Sequence, residues 1–295
     1  MIEFEPVVAG SLEECLEALA KYGSDAALLA GGTDLYVLME TGMKLPKAVI
    51  HISGVEDLKV SKVENGCVAI GAAVTHSEIA RLEVMEGVDC LRAGASAVGS
   101  PQIRNVGTAG GNIANGSPAA DLYPPLMVLD AVLELRSLRG AREVAVEEFV
   151  MGPGITSRRS DELITGARFS RPEGRFYSGF AKIGLRDALA ISVANAAVTA
   201  TCKDGKFDQV RIACGAVAPR PIRMKEVEAL LTGQEPSAEL IRQAGDMTSR
   251  QCDPITDIRA SRDYRRHVAG VIVSRLIENA SGELMMYGKE GATDA

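Results

Sequence analysis

No Cys-x-x-Cys pair occurs anywhere in this sequence: its six cysteines stand apart at 15, 67, 90, 202, 214 and 252. Iron–sulfur and structural zinc sites are built from closely spaced ligands, so the cysteines read as small, buried, reduced thiols. Only three histidines are present, at 51, 76 and 267, and they form no cluster; His51, in the apolar run Val49-Ile50-His51-Ile52, reads as a core residue. The chain is therefore expected to bind no metal of its own. Basic residues are also in deficit, 32 against 39 acidic ones, for a formal charge of −7. Binding to nucleic acid needs clustered Lys and Arg to neutralise phosphates, so no nucleic-acid partner is expected. Nor is there an apolar run near the ~20 residues of a membrane span. The start, Met1-Ile2-Glu3-Phe4-Glu5-Pro6, lacks the basic and apolar regions of a secretory leader. No membrane partner and a cytoplasmic location follow as expectations.

What remains is an ordinary globular balance, 46% hydrophobic and 24% charged, in 295 residues. That length suits about two domains at ~150 residues each, with enough core to need no disulfide or metal. Glycine is in excess, 30 residues against an average of ~7%, and it concentrates at turns and in two short segments.

Ser11-Leu12-Glu13-Glu14 reads as a capping box, with the serine bonding forward and Glu14 reaching back. Leu12, Cys15, Leu16 and Leu19 then recur at helical spacing up to Gly23. Ala26 to Ala30 predicts a strand running into Gly31-Gly32, followed by a helix over Thr33 to Glu40 and a strand over Ala48 to Ile52. Glu64-Asn65-Gly66, between apolar runs 58–63 and 67–72, signals a hairpin. Helices are expected at about 75–83 and 88–99, and over Asp121 to Leu129 with Pro124-Pro125 near the first turn. A second hairpin is expected around Arg139-Gly140. After a polar break at Ser170-Arg171-Pro172-Glu173-Gly174, Ile191 to Cys202 and Phe207 to Cys214 predict antiparallel strands. Helices near 222–232, 237–250 and 261–280 follow.

The two glycine segments carry the candidate chemistry. A pyrophosphate is held at close range by backbone N–H groups where glycine permits positive φ and no Cβ blocks approach. Gly31-Gly32 lies between a strand and a helix, whose N-terminus adds donors. Thr33 offers a hydroxyl, and Asp34 either caps the helix or binds a sugar hydroxyl. Gly110-Gly111, flanked by Thr108 and Asn112, offers the same from elsewhere, and Asp121 is a candidate acceptor for ribityl or ribose hydroxyls. Two tight turns remain the competing reading, since neither segment is a Gly-x-Gly-x-x-Gly fingerprint or a Walker loop. The residues alone reach a phosphate-containing ligand, with a dinucleotide among the options.

Leu28-Leu29-Ala30-Gly31-Gly32-Thr33-Asp34-Leu35 resembles the first flavin motif of the FAD-binding medium subunits of molybdenum hydroxylases. Gln102 to Ile113, containing Thr108-Ala109-Gly110-Gly111-Asn112, resembles the second. The likeness continues through Asn115 to Asp121, Lys182 to Ser192 and Ala218 to Arg223, in the family's order along nearly the whole chain, and is strongest to the subunits of bacterial xanthine dehydrogenase. It implies an α+β fold of the vanillyl-alcohol-oxidase/PCMH type: an FAD-binding domain over 1–172, with subdomains of about 1–55 and 56–172. A C-terminal α+β domain of the CO dehydrogenase flavoprotein type over 173–286 and a loose tail over 287–295 complete it. It further implies that residues 28–35 and 108–112 wrap the FAD pyrophosphate. Val98 and Ile164 match positions contacting the flavin or adenine rings, and Asp121 and Lys182 match polar FAD contacts. From the sequence alone Val98 and Ile164 read equally well as core, and Lys182 as a surface lysine.

Such a subunit passes electrons from [2Fe–2S] clusters of a small partner through FAD to NAD⁺, while a large molybdopterin partner oxidises the substrate. By the resemblance the assembly is a dimer of heterotrimers and the substrate a purine such as xanthine; nicotinate, an aromatic thioester or carbon monoxide are the alternatives. A stand-alone FAD-dependent oxidoreductase is a further one. No acid–base residue of this chain is expected to be catalytic, because the cofactor carries the chemistry. Lys182 is the candidate cation beside reduced flavin, and the loop Gly184 to Ala188 a candidate gate for nicotinamide.

Overall fold

The computed structural model describes residues 3–171, 174–186 and 188–286. The tail expected over 287–295, Pro172 and Glu173 of the polar break, and Asp187 of the candidate gate lie outside these residues.

The first unit comprises β1 (Glu5–Val8), α1 (Leu12–Tyr22), β2 (Ala26–Leu29), α2 (Leu35–Glu40) and β3 (Ala48–His51). Its strands form a parallel sheet in the order β1-β3-β2. Cys15, Leu16 and Leu19 of α1 pack with Ile50, Ile52 and Leu58 into one core, as their spacing requires. Ser11 accepts the Glu14 N–H at 3.2 Å, but Glu14 reaches past it to the N–H of Gly10 at 2.8 Å. The expected reciprocal box is thus displaced by one residue.

The second unit holds β4 (Ser61–Glu64), β5 (Cys67–Gly71), α3 (His76–Ile79), α4 (Asp89–Ser96), α5 (Pro101–Val106), α6 (Ala109–Ala114) and α7 (Tyr123–Val128). It continues through β6 (Val132–Ser137), β7 (Gly140–Ala145), α8 (Val146–Phe149), β8 (Val150–Gly152), β9 (Ile155–Thr156) and β10 (Leu163–Ser170). Its main sheet is antiparallel, β4-β5-β10-β6-β7. The β4–β5 hairpin turns on Asn65 and Gly66, both at positive φ, as an Asn-Gly turn demands. Two segments that carry no predicted element are helices. Ser100 caps α5 at the Ile103 N–H with Pro101 in the first turn, and Thr108 caps α6, which contains Gly110 and Gly111.

The third unit is an antiparallel sheet of β11 (Tyr177–Ile183), β12 (Ala194–Lys203), β13 (Lys206–Gly215) and β14 (Ile222–Arg223), covered by α9 (Lys225–Leu231), α10 (Ala238–Gln251) and α11 (Arg262–Met286). The period of two along β12 shows how the units join. Ala194, Ala196, Val198 and Ala200 enter the core under α11, whereas Ala197, with Ala213 of β13, enters the core of the second unit. Asn195 and Thr199 share that second face, and the Thr199 hydroxyl donates to the Val128 carbonyl of α7 at 3.2 Å. Small residues at these positions let α7 lie close on the sheet, which brings Asp121 against the third unit.

Candidate functional site

The first glycine segment leaves β2 with its end fixed. The Ile52 N–H donates to the Leu29 carbonyl at 2.9 Å, and the Ser53 hydroxyl to the Ala30 carbonyl at 3.2 Å. Gly32 then takes φ +72°, and a Cβ on it would fall 2.5 Å from the Tyr36 ring. Among the described residues, none accepts a hydrogen bond from the N–H groups of Gly31, Gly32, Thr33 or Asp34. Asp34 occupies the N-cap position of α2 without capping it, so of its two expected roles the capping one is not realised. These four consecutive donors lie at a half-open surface, the arrangement of a phosphate-binding nest.

The second segment meets the first through backbone. A Cβ on Gly31 would overlap the Val106 carbonyl and come within 2.9 Å of the Gly107 nitrogen. Gly31 is thus a contact residue between the end of α5 and the end of β2. The expectation that Gly110 and Gly111 offer free N–H groups needs correction. The Ala109 N–H donates to Val74 and the Gly110 N–H to Ala72, at 2.9 and 2.8 Å, and the Gly111 N–H is taken by the Thr108 hydroxyl at 3.2 Å. Gly110 is needed for closeness, since a Cβ there would lie 2.7 Å from that of Ala72. The side chain of Asn112 keeps chemical capacity: its Oδ1 is buried and has no partner among the described residues.

Asp121 and Lys182 pair with each other. Lys182 Nζ donates to Asp121 Oδ2 at 2.5 Å and to the Ala97 carbonyl at 2.9 Å, with side chains only 12% and 7% exposed. Ser192 Oγ and Asn195 Nδ2 donate to Asp121 Oδ1, each at 2.7 Å. Lys182 is therefore no surface lysine, and both oxygens of Asp121 are already engaged by Lys182, Ser192 and Asn195. Val98, half-buried, follows Ala97, and its carbonyl accepts from Arg104 Nη1 at 3.0 Å. Ile164 is 4% exposed in the core of the second unit, at an irregularity in the β10–β6 pairing.

Residues 2–169 match the FAD binding domain in molybdopterin dehydrogenase, and residues 180–280 the CO dehydrogenase flavoprotein C-terminal domain. The chain belongs to the FAD subunits of molybdenum hydroxylases.

Among curated relatives, the xanthine dehydrogenase FAD-binding subunit of Escherichia coli O157:H7 is 31% identical over 92% of this chain and 94% of its own. The nicotinate dehydrogenase FAD-subunit of Eubacterium barkeri is 34% identical over 79% of this chain and 81% of its own. Among solved structures, a carbon monoxide dehydrogenase from Hydrogenophaga pseudoflava lacking the Mo-pyranopterin moiety superposes with a TM-score of 0.92. It is 29% identical, covering 96% of this chain and 98% of that one. The fold is accordingly an FAD-binding domain joined to a C-terminal domain of the CO dehydrogenase flavoprotein type. No described helix is long and apolar enough to cross a membrane.

The residues of this FAD subunit fit the cofactor its family implies. The unpartnered donors of Gly31 to Asp34 suit a pyrophosphate, and Asn112 Oδ1, buried and without a partner among the described residues, is an acceptor on the second segment that suits a ligand hydroxyl. Sequence reasoning missed several supports of the site. Asn195 was legible as a polar residue within the buried apolar strand Val193-Ala194-Asn195-Ala196-Ala197-Val198, whereas Ser192 and the Ala97 carbonyl gave no such signal. His76, set aside as a metal ligand, lies 2% exposed beneath the second segment. Its backbone N–H donates to the Gly107 carbonyl at 3.0 Å, and its ring lies 3.2 Å from where a Gly107 Cβ would be. Burial, reinforced by the Arg104 guanidinium, pushes the His76 imidazole down to about 4, so it supports the segment as a neutral ring.

Proposed function

We propose that this chain takes electrons from [2Fe–2S] clusters on a small partner subunit and delivers them through FAD to NAD⁺, in a complex whose large molybdopterin subunit oxidises xanthine or a related purine. The observation that carries the reading is the run of four unpartnered N–H groups from Gly31 to Asp34, seated against the end of α5. In this reading Leu28 to Leu35 and Thr108 to Asn112 hold the pyrophosphate, the first segment by donors and the second by close packing and Asn112. Val98 and Ile164 lie toward the rings, and Lys182, aimed by Asp121, is the nearby cation. Bound FAD supplies the exchange between one-electron input and two-electron output; the chain binds it, orients it and keeps water from its edges. Residues 1–172 form the FAD-binding domain (subdomains about 1–55 and 56–172), 173–286 the C-terminal domain and 287–295 a tail. The assembly is a cytoplasmic dimer of heterotrimers.

Likeness to the xanthine dehydrogenase subunit along almost all of both chains supports the purine assignment. A nicotinate-oxidising complex is the second reading, favoured by the higher identity, over a shorter stretch, to the nicotinate dehydrogenase subunit. The experiment is purification of the native complex and identification of its subunits. Xanthine, nicotinate and carbon monoxide are then added anaerobically in turn while flavin absorbance is followed, and NAD⁺ last. Bleaching by xanthine and recovery with NAD⁺ is expected. Bleaching by nicotinate alone rejects the purine assignment, and a chain purified without flavin rejects the whole reading.

A further inference from the structure

We infer that Asp121 is a positioning residue that sets how strongly the Lys182 cation acts on the flavin; the inference rests on the reading of the chain as an FAD subunit. An ammonium has three donors. Asp121 Oδ2 and the Ala97 carbonyl take two of those on Lys182, which leaves one on a nearly buried side chain. The carboxylate is itself fixed, because Ser192 and Asn195 hold its other oxygen. The loop beside it is fixed as well. Carbonyls 97, 98 and 99 accept, in order, from Lys182, from Arg104 Nη1 and from the Leu189 N–H at 3.2 Å. Three donors from three parts of the chain thus hold three successive carbonyls, which fixes the backbone oxygen that, with Asp121, accepts from Lys182.

This network lies near the proposed cofactor site. The six residues of α5, about 9 Å at 1.5 Å per residue, separate the 97–99 loop from Val106, on which Gly31 rests. That span matches the reach of a ribityl chain from the phosphate donors to a ring.

Flavin reduction, FAD + 2e⁻ + H⁺ → FADH⁻, leaves negative charge on the ring, and a nearby cation favours the charged product. An ion pair acts on its surroundings as a dipole, far more weakly than a lone cation, and at this burial solvent does little to screen either. Asp121 therefore holds the flavin potential below the value Lys182 alone would give. Asp121→Asn preserves the shape and an acceptor for Ser192 and Asn195 while removing the countercharge.

The test is a redox titration of the full chain loaded with FAD, with dithionite as reductant and reference dyes as potential standards, alongside thermal melts. In D121N the oxidised–reduced equilibrium is expected to move toward reduced flavin by roughly tenfold, about 30 mV for a two-electron couple. In K182M it is expected to move the opposite way, with the double variant near wild type and K182R restoring the potential. A structural role alone would lower the melting temperatures without opposed potential shifts. If D121N does not fold, K182M and K182R decide, and equal potentials in those two overturn the inference. A wild-type chain that takes up no FAD overturns the reading beneath it. A flavin-loaded wild type whose potential D121N and K182M leave unmoved, or move in one direction, overturns the role of Asp121 alone.

Discussion

Gly31→Ala tests the convergence of the two glycine segments with a single methyl group. The added Cβ would overlap the Val106 carbonyl and crowd the Gly107 nitrogen at 2.9 Å. Both obstacles are backbone, at the end of a helix whose last turn is tied by the Gly107 N–H to Ile103 at 2.7 Å, so neither can swing aside as a side chain would. Restoring a contact of about 3.5 Å requires the ends of β2 and α5 to part by on the order of 1–2 Å. Overpacking of this kind costs about 1–3 kcal/mol. If the bound geometry must be recovered against that cost, FAD affinity falls by roughly 5- to 150-fold at 1.4 kcal/mol per tenfold. Gly111→Ala is the control. A Cβ there meets only the Thr108 hydroxyl at 3.1 Å, and alanine's helix preference of about 0.8–1 kcal/mol over glycine offsets that contact inside α6. Flavin absorbance per chain after dialysis, with equilibrium binding and melting of the apoprotein, gives both quantities. Wild-type melting and full flavin in G31A would refute the argument from contact. Loss of flavin in G111A with unchanged stability would move the donors to the second segment.

Three further outcomes follow from the same contacts. His76 has a lower affinity for protons folded than unfolded, about 4 against ~6.5, so its contribution is intact above pH about 6.5 and is lost as pH falls through 4. The loss approaches about 3 kcal/mol, and denaturant melts of wild type and His76→Gln across that range should differ in slope; parallel slopes would exclude the histidine. Gly270→Val drives a Cβ to 2.5 Å from the Gly245 carbonyl at the α10–α11 crossing; it should cost about 2–3 kcal/mol while leaving the flavin spectrum of the folded fraction unchanged. Arg223, 8% exposed, pairs with Glu228 at 2.7 Å and with Asp130 at 2.8 Å and donates to the Met127 carbonyl at 3.1 Å. Arg223→Met leaves Glu228, whose side chain is 12% exposed, with the Ile212 N–H but no countercharge, and should cost about 3 kcal/mol, seen as a lower melting temperature; an unchanged one would show that the two units hold together without it.

The features legible in the sequence are those fixed by neighbours along the chain. Asn65-Gly66 dictates its hairpin because both residues tolerate positive φ, and the spacing of Cys15, Leu16 and Leu19 dictates the buried face of α1. The segment from Ser100 to Asn112 carries no predicted element because its local signals oppose each other. Ser100-Pro101 is a good helix start, but paired glycines at 110 and 111 argue against a helix by nearly 1 kcal/mol each. The Thr108 cap and the fit of Gly110 against Ala72 override that preference, and Ala72 lies 38 residues away in sequence. The same distance problem hid the pairing of Asp121 with Lys182 and the seat of Gly31 on Val106. These contacts also separate two uses of glycine that one motif shape conceals. At Gly31-Gly32 the backbone is left with donors to offer, whereas at Gly110-Gly111 the donors are already spent and the missing Cβ serves only to bring α6 down onto the strand end. A phosphate held at this site would therefore be bound by the first segment and located by the second, which is why substitutions at Gly31 and Gly111 are expected to differ although the sequence presents them alike.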